Sequence, residues 1–211
     1  MKNQSFYTRY AKRWIDFILA LIGLVVLSPV FLLVSLAIWV DDPGPVMFTQ
    51  KRFGINKQFF TLHKFRSMKM SAPHDTPTHL LSDPEQYITR IGHFIRRSSL
   101  DELPQIWDIL VGSMSIIGPR PALWNQEDLI RERDRYGANA LRPGLTGWAQ
   151  INGRDELPIE VKARLDGEYA EKISFSMDVK CFFGTIGAVL NHKGYAEGRS
   201  PSPRSEDKRE K

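Results

Sequence analysis

The chain has 211 residues, 42% of them hydrophobic and 25% charged, with a formal net charge of +5. That composition excludes a disordered or low-complexity chain and suits one compact domain with attachments. The single cysteine, Cys181, excludes an internal disulfide, and the five histidines show no metal-ligand spacing. The surplus of Lys and Arg suits an anionic partner: nucleic acid, a phosphorylated metabolite or an acidic membrane surface.

No charged residue occurs from 17 to 40, a run bracketed by Trp14 and Trp39. At about 1.5 Å per residue such a helix is just long enough to cross a hydrocarbon core of roughly 30 Å. Its length, and the absence of a small-residue cleavage site after it, argue against a signal peptide. Lys2, Arg9, Lys12 and Arg13 precede the run and favour a cytoplasmic N-terminus. Ser28-Pro29 falls near its middle, where proline removes a backbone donor and breaks or kinks a helix. Two topologies follow: a kinked span, or a re-entrant hairpin with both ends on one side. Tolerance of proline in spanning helices favours the first. Basic residues after the run (Lys51, Arg52, Lys57 and Lys64) pull the second flank to the cytoplasm too.

Asp41-Asp42-Pro43-Gly44-Pro45 ends the apolar element. Residues 46–50 and 58–63 read as short strands around Gly54-Ile55-Asn56-Lys57, a hairpin. Residues 71–84, with three prolines, His74 and His79, form a surface loop. Residues 85–97 read as an amphipathic helix ending in Arg96 and Arg97. Leu103, Ile106, Trp107 and Leu110 have helical spacing up to Gly112. Gly118-Pro119-Arg120-Pro121 is a rigid turn, residues 124–136 a charged helix, and residues 142–150 a Gly/Pro loop containing Trp148. Residues 158–172 and 177–191 predict two further helices, the second with an apolar face. The tail from Arg199 is Ser-, Pro- and charge-rich, the composition of a disordered segment.

Asp101 and Glu102 are the focus of candidate chemistry, because two adjacent carboxylates closely follow Arg96 and Arg97, and a carboxylate beside cations suits phosphate and metal chemistry. A capping box explains them without chemistry: Ser99 as N-cap and Glu102 at the third helical position. The two explanations are compatible, since a helix N-terminus also attracts anions. Arg120, flanked by prolines, presents its guanidinium fork from a restricted backbone, which suits phosphate. No Walker loop, dinucleotide fingerprint, zinc motif or serine triad is present.

Lys64-Phe65-Arg66-Ser67-Met68, Ser99-Leu100-Asp101-Glu102-Leu103-Pro104-Gln105, Gly118-Pro119-Arg120-Pro121 and the segment from Arg142 to Arg154, behind an apolar run broken at Ser28-Pro29, together resemble the bacterial sugar transferase family. These are the monotopic phosphoglycosyl transferases, and the chain looks like their short form, a catalytic core alone. The resemblance implies an α+β, mostly helical fold: a re-entrant helix-break-helix at residues 1–40, a cytoplasmic catalytic domain at 41–198 and a disordered tail at 199–211. It implies transfer of a sugar phosphate from a UDP-sugar to undecaprenyl phosphate at the cytoplasmic face of the plasma membrane, with Mg2+ and no nucleic acid, as the first step of exopolysaccharide or capsule assembly. Asp101 is then the nucleophile, forming an aspartyl phosphosugar, and Glu102 its metal or proton assistant. Arg96 and Arg120 match phosphate-binding positions, with Lys64 and Arg66 as further candidates. Arg142, Thr146, Trp148, Gln150 and Arg154 are the nucleotide-sugar candidates. Val111-Gly112-Ser113-Met114 departs from relatives, which often carry lysine before the glycine and an acidic residue after it. A non-catalytic membrane-attached scaffold is the alternative, but it leaves the coincidence of these motifs unexplained.

Overall fold

In the computed structural model, residues 6–73, 83, 85–153 and 157–190 are described. Most of the loop expected at 71–84, Arg154 and the whole tail expected from Arg199 lie outside them. The chain opens with a π-helical turn, Tyr7–Ala11, leading into α1 (Lys12–Val26) and α2 (Ser28–Asp41). The two arms meet at 60°. The bend has a local cause. Pro29 has no N–H to give the Val25 carbonyl, four residues earlier, and the Ser28 hydroxyl donates to that carbonyl instead at 2.8 Å. Pro29 itself stands in the first turn of α2, where no donor is missed. No single described helix is long and apolar enough to cross a membrane, although the bent pair passes by length and composition.

Each arm lies on the body of the protein through its own core. Ala20 of α1 packs with Leu62, Ile109 and Met114, and Val34 and Ile38 of α2 pack with Phe65 and Ile95. The outward faces stay bare: Leu19, Ile22, Val25, Leu32, Leu36 and Val40 are all exposed.

A polar edge at the start of α1 fixes its position. The Arg13 guanidinium donates to the Ile109 and Leu110 carbonyls at 2.6 and 2.7 Å, satisfying the end of a second helix, α4 (Gln105–Val111). Buried Asp16 accepts from the Ser115 hydroxyl at 2.7 Å and the Ile116 amide at 3.1 Å. Asp178 accepts from the Tyr7 and Tyr169 hydroxyls at 2.7 and 2.6 Å and pairs with Lys12 at 2.6 Å. Burial, then the Asp178 charge, raises the Tyr169 hydroxyl well above its ordinary range, so it remains a donor. Lys12 and Arg13, read in the sequence as flanking charges, are thus occupied by the protein itself.

Asp178→Ala strands a part-buried ammonium and two hydroxyls together. It is expected to lower stability by about 3 kcal/mol or more. Chemical denaturation measures this, and a loss below about 1 kcal/mol would show that the cluster contributes no more than a surface pair.

The body is built from β1 (Met47–Phe53) antiparallel to β2 (Phe59–Phe65), then α3 (Arg90–Arg97), α4, and β3 (Ser115–Ile117). There follow α5 (Glu127–Asp134), β4 (Gly144–Thr146), α6 (Trp148–Ile151), α7 (Ile159–Lys172) and α8 (Phe175–Leu190). The mostly helical α+β expectation and the hairpin are present, with both strands reaching further than predicted. Asn56 and Lys57 turn the hairpin in the left-handed region, at φ 52° and 64°.

Three expectations are corrected. Residues 85–97 are not one helix: a 3-10 turn, Glu85–Tyr87, is followed by a new start at Thr89, whose hydroxyl accepts from the Gly92 amide at 2.8 Å. The Gly/Pro loop at 142–150 contains β4 and α6, and β4 pairs in parallel with β3. Strands of three residues carry too little periodicity to be read from sequence. Close backbone approach explains the glycines there, since a Cβ on Gly144 would lie 2.1 Å from the Gly118 nitrogen. The Ser99–Glu102 capping box is absent, for a reason that belongs to the site.

Candidate active site

The site is assembled where β2, the turn after α3 and the turn after β3 converge. Ser98 ends α3 by returning its hydroxyl to the Phe94 carbonyl at 2.8 Å, and Ser99 then takes a left-handed φ of 58°. That reversal starts the separate 3-10 turn Leu100–Glu102. The Ser99 side chain caps nothing in it. Pro104 cannot donate, so it serves as N-cap of α4 and the helix begins only at Gln105. Released from capping, the two carboxylates turn toward cations.

Glu102 faces two cations. Its Oε1 lies 2.8 Å from Arg120 Nη2 and 3.0 Å from Lys64 Nζ, and its Oε2 lies 3.5 Å from Arg120 Nη1. Burial works to raise the Glu102 carboxyl, but the Arg120 and Lys64 charges outweigh it and hold the group well below the usual carboxylate range. Asp101 is buried, with Lys64 Nζ 3.7 Å from its Oδ2. One ammonium therefore faces both carboxylates.

Arg120 owes its position to residues that sequence inspection passed over. Arg133, read as part of a charged helix, is buried; it pairs with Asp166 at 2.7 Å and donates to the Arg120 carbonyl at 3.0 Å. Burial raises the Asp166 carboxyl and the Arg133 charge opposes that rise. Arg52 donates to the neighbouring Pro121 carbonyl at 3.0 Å. No local pattern distinguishes Arg133 from its charged neighbours, because only the fold turns it inward.

Lys64 is fixed from the other side of its strand. His63 is bound to Asp108 of α4 twice, through its amide at 2.9 Å and its ring Nδ1 at 2.7 Å. Asp108 is almost wholly buried, which raises its carboxyl while the contacts with His63 lower it. The pair ties β2 to the helix that follows Glu102.

Of the phosphate candidates, Lys64 and Arg120 are thus drawn to the carboxylates. Arg96 is buried in the last turn of α3, just before them. Arg66 is turned elsewhere: it pairs with Asp42 at 3.3 Å and also donates to the Asp42 carbonyl. It lies one residue past the end of β2, where the end of α2 approaches.

The nucleotide-sugar candidates form a second group. Gly118 donates to the Thr146 carbonyl and Gly144 to the Pro119 carbonyl, both at 2.8 Å, so their segment is laced to the Arg120 turn through backbone. Their side chains have other contacts. Arg142 donates to the Gly112 carbonyl at 3.0 Å; Thr146 meets Thr185 of α8 at 2.6 Å; Trp148 donates to Glu168 at 3.2 Å and lies beneath Lys180. Gln150 is buried with neither amide atom bonded to protein. Arg154 lies outside the described residues.

Among the described residues no group of three or more His, Cys, Asp or Glu could hold a metal. Two adjacent carboxylate-bearing residues remain, one neutralised by an arginine and a lysine, the other beside that lysine. Such a set can receive a phosphate-rich anion, and supply an oxygen nucleophile or two oxygen ligands to a hard cation.

Comparison with known proteins adds the following. The family described as "Bacterial sugar transferase" matches residues 7–192. A UDP-glucose:undecaprenyl-phosphate glucose-1-phosphate transferase of Xanthomonas campestris pv. campestris is 39% identical over 196 residues, covering 89% of this chain. A UDP-N-acetylgalactosamine-undecaprenyl-phosphate N-acetylgalactosaminephosphotransferase of Aeromonas hydrophila is 35% identical over 194 residues, covering 88%. The exopolysaccharide production protein PSS of Rhizobium leguminosarum bv. phaseoli is 36% identical over 197 residues, covering 87%. The matched region is 40% and 45% of the first two relatives' length and 98% of the third's.

Proposed function

The chain belongs to the bacterial sugar transferase family, and we propose that it moves a sugar 1-phosphate from a UDP-sugar to undecaprenyl phosphate, releasing UMP. The observation that carries this is the convergence of Asp101, Glu102, Lys64 and Arg120 from three separate elements onto one spot. The names of two relatives support the donor and acceptor classes.

In this mechanism an Asp101 carboxylate oxygen attacks the phosphorus that bears the sugar. The bridging bond to the UMP phosphate breaks, UMP leaves, and an aspartyl phosphosugar remains. An oxygen of undecaprenyl phosphate then attacks the same phosphorus. The bond to Asp101 breaks, which regenerates the carboxylate and yields the lipid diphosphate sugar. Two displacements let a soluble donor and a lipid acceptor use one site in turn. Lys64, Arg120 and Arg96 bind phosphate oxygens and stabilise the charge that gathers on the leaving UMP. Glu102 keeps Lys64 and Arg120 in place before substrate arrives. The segment from Arg142 to Arg154 contributes to the nucleotide-sugar pocket.

The donor set fits Mg2+, which is commonly bound by one or two carboxylates plus substrate phosphates rather than by an all-protein cage. Asp101 and Glu102 would hold it, and it would lower the charge repulsion that an anionic nucleophile meets.

The bent pair α1–α2 is placed in the membrane as a re-entrant hairpin, with residues 41–198 on the cytoplasmic face of the plasma membrane. Its bare apolar faces and its 60° bend support this placement.

Activity is tested by offering the purified chain, undecaprenyl phosphate and Mg2+ a panel of UDP-sugars and measuring UMP. Release with at least one donor is expected, together with a phosphosugar adduct on the Asp101 peptide. Release without an adduct under single-turnover trapping would favour direct transfer. Topology is tested with cysteines placed at Asn3 and Asn152, both of which should be shielded from an external impermeant thiol reagent. Native Cys181 does not interfere, being buried with its thiol pushed up to about 11 by burial and by the Asp178 charge. Labelling at Asn3 alone would mean that the helix pair spans.

A further inference from the structure

The end of α2 and the start of α3 enclose a groove of about 1030 Å3 that the catalytic chemistry does not use. Its size matches that of pockets that hold small ligands, roughly 300–1,000 Å3. One wall is a helical stripe of α2, Leu33, Leu36, Ala37 and Val40, spaced i, i+3, i+4 and i+7. Along the axis that stripe is about 10 Å long. Lys69 and Arg90 stand at the rim, both exposed.

Two carboxylates also line the groove, but each is engaged. Asp41 accepts from the Ile91 amide at 2.9 Å, and Asp42 pairs with Arg66 at 3.3 Å and accepts from the Met70 amide at 3.0 Å. Among the described residues Lys69 donates to the Gln86 carbonyl, at 2.7 Å, and neither it nor Arg90 has an acidic partner. Arg66 offsets Asp42, so the two rim cations face the single remaining carboxylate of Asp41 and positive charge is in surplus by one at the mouth of an apolar channel.

We propose that this groove binds an anionic phospholipid of the surrounding bilayer, its phosphate between Lys69 and Arg90 and an acyl chain along Leu33, Leu36, Ala37 and Val40. The proposal rests on the placement of α1–α2 in a membrane. A lipid phosphate at the mouth of a channel on α2 meets the cations, and its chain runs along a face that would otherwise lie bare. The occupant is a bilayer lipid rather than the acceptor in its reacting position. The groove sits at the N-terminal end of α3 and the Asp101 turn follows the C-terminal end, about 12 Å away along an eight-residue helix. A lipid here anchors the end of α2 against α3, the helix that leads to the catalytic turn.

The test is native mass spectrometry of the full chain in a neutral detergent, offered dioleoyl phosphatidylglycerol or dioleoyl phosphatidylcholine. The wild type is expected to retain the anionic lipid over the zwitterionic one by on the order of 5-fold, the contribution of one net positive charge near an anionic headgroup. Lys69→Gln with Arg90→Gln should abolish that preference without changing the melting curve. Ala37→Trp, which fills the apolar wall, should reduce retention of both lipids. Equal retention by the wild type, or an unchanged preference in the double variant, overturns the proposal. So does displacement of phosphatidylglycerol by equimolar undecaprenyl phosphate, which would assign the groove to the acceptor. A chain that leaves cell membranes in buffer without detergent overturns the membrane placement and this inference with it. A chain that needs detergent but shows no preference overturns only the lipid site.

Discussion

Asp101→Asn is expected to lower UMP release by on the order of 10⁴-fold or more, the scale seen when a nucleophile is removed from a covalent mechanism. Asparagine keeps the size and the planar group but has no anionic oxygen to attack phosphorus. It also leaves Lys64 with Glu102, already 3.0 Å away, so the ammonium is not stranded. The thermal melt separates lost chemistry from lost fold. The phosphosugar adduct should vanish from the peptide containing residue 101. Glu102→Gln provides the contrast: it removes a partner of two cations rather than the nucleophile, so slow turnover through the same adduct should survive. Full activity in Asp101→Asn would end the nucleophile assignment, whatever the Glu102 variant does.

Arg120→Met is expected to reduce kcat/KM by about 10²–10³-fold, the cost of removing one preorganised donor aimed at developing charge. It should also change the pH profile, and the sign follows from the Glu102 environment. In the wild type Glu102 lies below its unfolded value of about 4.3, because Arg120 and Lys64 together outweigh burial. Its contribution to stability is complete above that unfolded value and is lost as pH falls through the folded one. Without Arg120, burial opposes only Lys64, so the folded value rises. The acid limbs of both stability and activity should then move to higher pH. Arg120→Lys is the discriminating variant: it restores charge without the bidentate fork, and should recover the pH limb more fully than kcat/KM. An acid limb that stays put in Arg120→Met would show that Glu102 does not depend on this arginine.

The bent helix pair was legible because its determinant is local. A proline has no N–H wherever it stands, so a break at Ser28-Pro29 can be read from two adjacent residues. The capping box at Ser99–Glu102 was an equally local inference, and it failed because capping competes with longer-range partners. A carboxylate offered an arginine and a lysine in a buried setting gains more from them than from a backbone amide at a helix end. Arg66 shows the same competition in reverse. Its motif suggested phosphate, and in the fold it is held by Asp42.

Composition, motif order and the Ser-Pro break determined the mostly helical α+β architecture, the apolar segment with its interruption, and the family. These depend on residue type and spacing along the chain. The tertiary structure alone decided which charges meet. Lys64 lies 38 residues before Glu102 and Arg120 lies 18 after it, and no local rule selects those partners from 29 lysines and arginines. It also decided that Arg133 and Asp166 would hold the Arg120 turn, that His63 and Asp108 would hold Lys64, and that α1 would be tied down by Asp16 and Asp178. The physical reason is that charge pairing acts through space over a few ångströms, while sequence records only distance along the backbone.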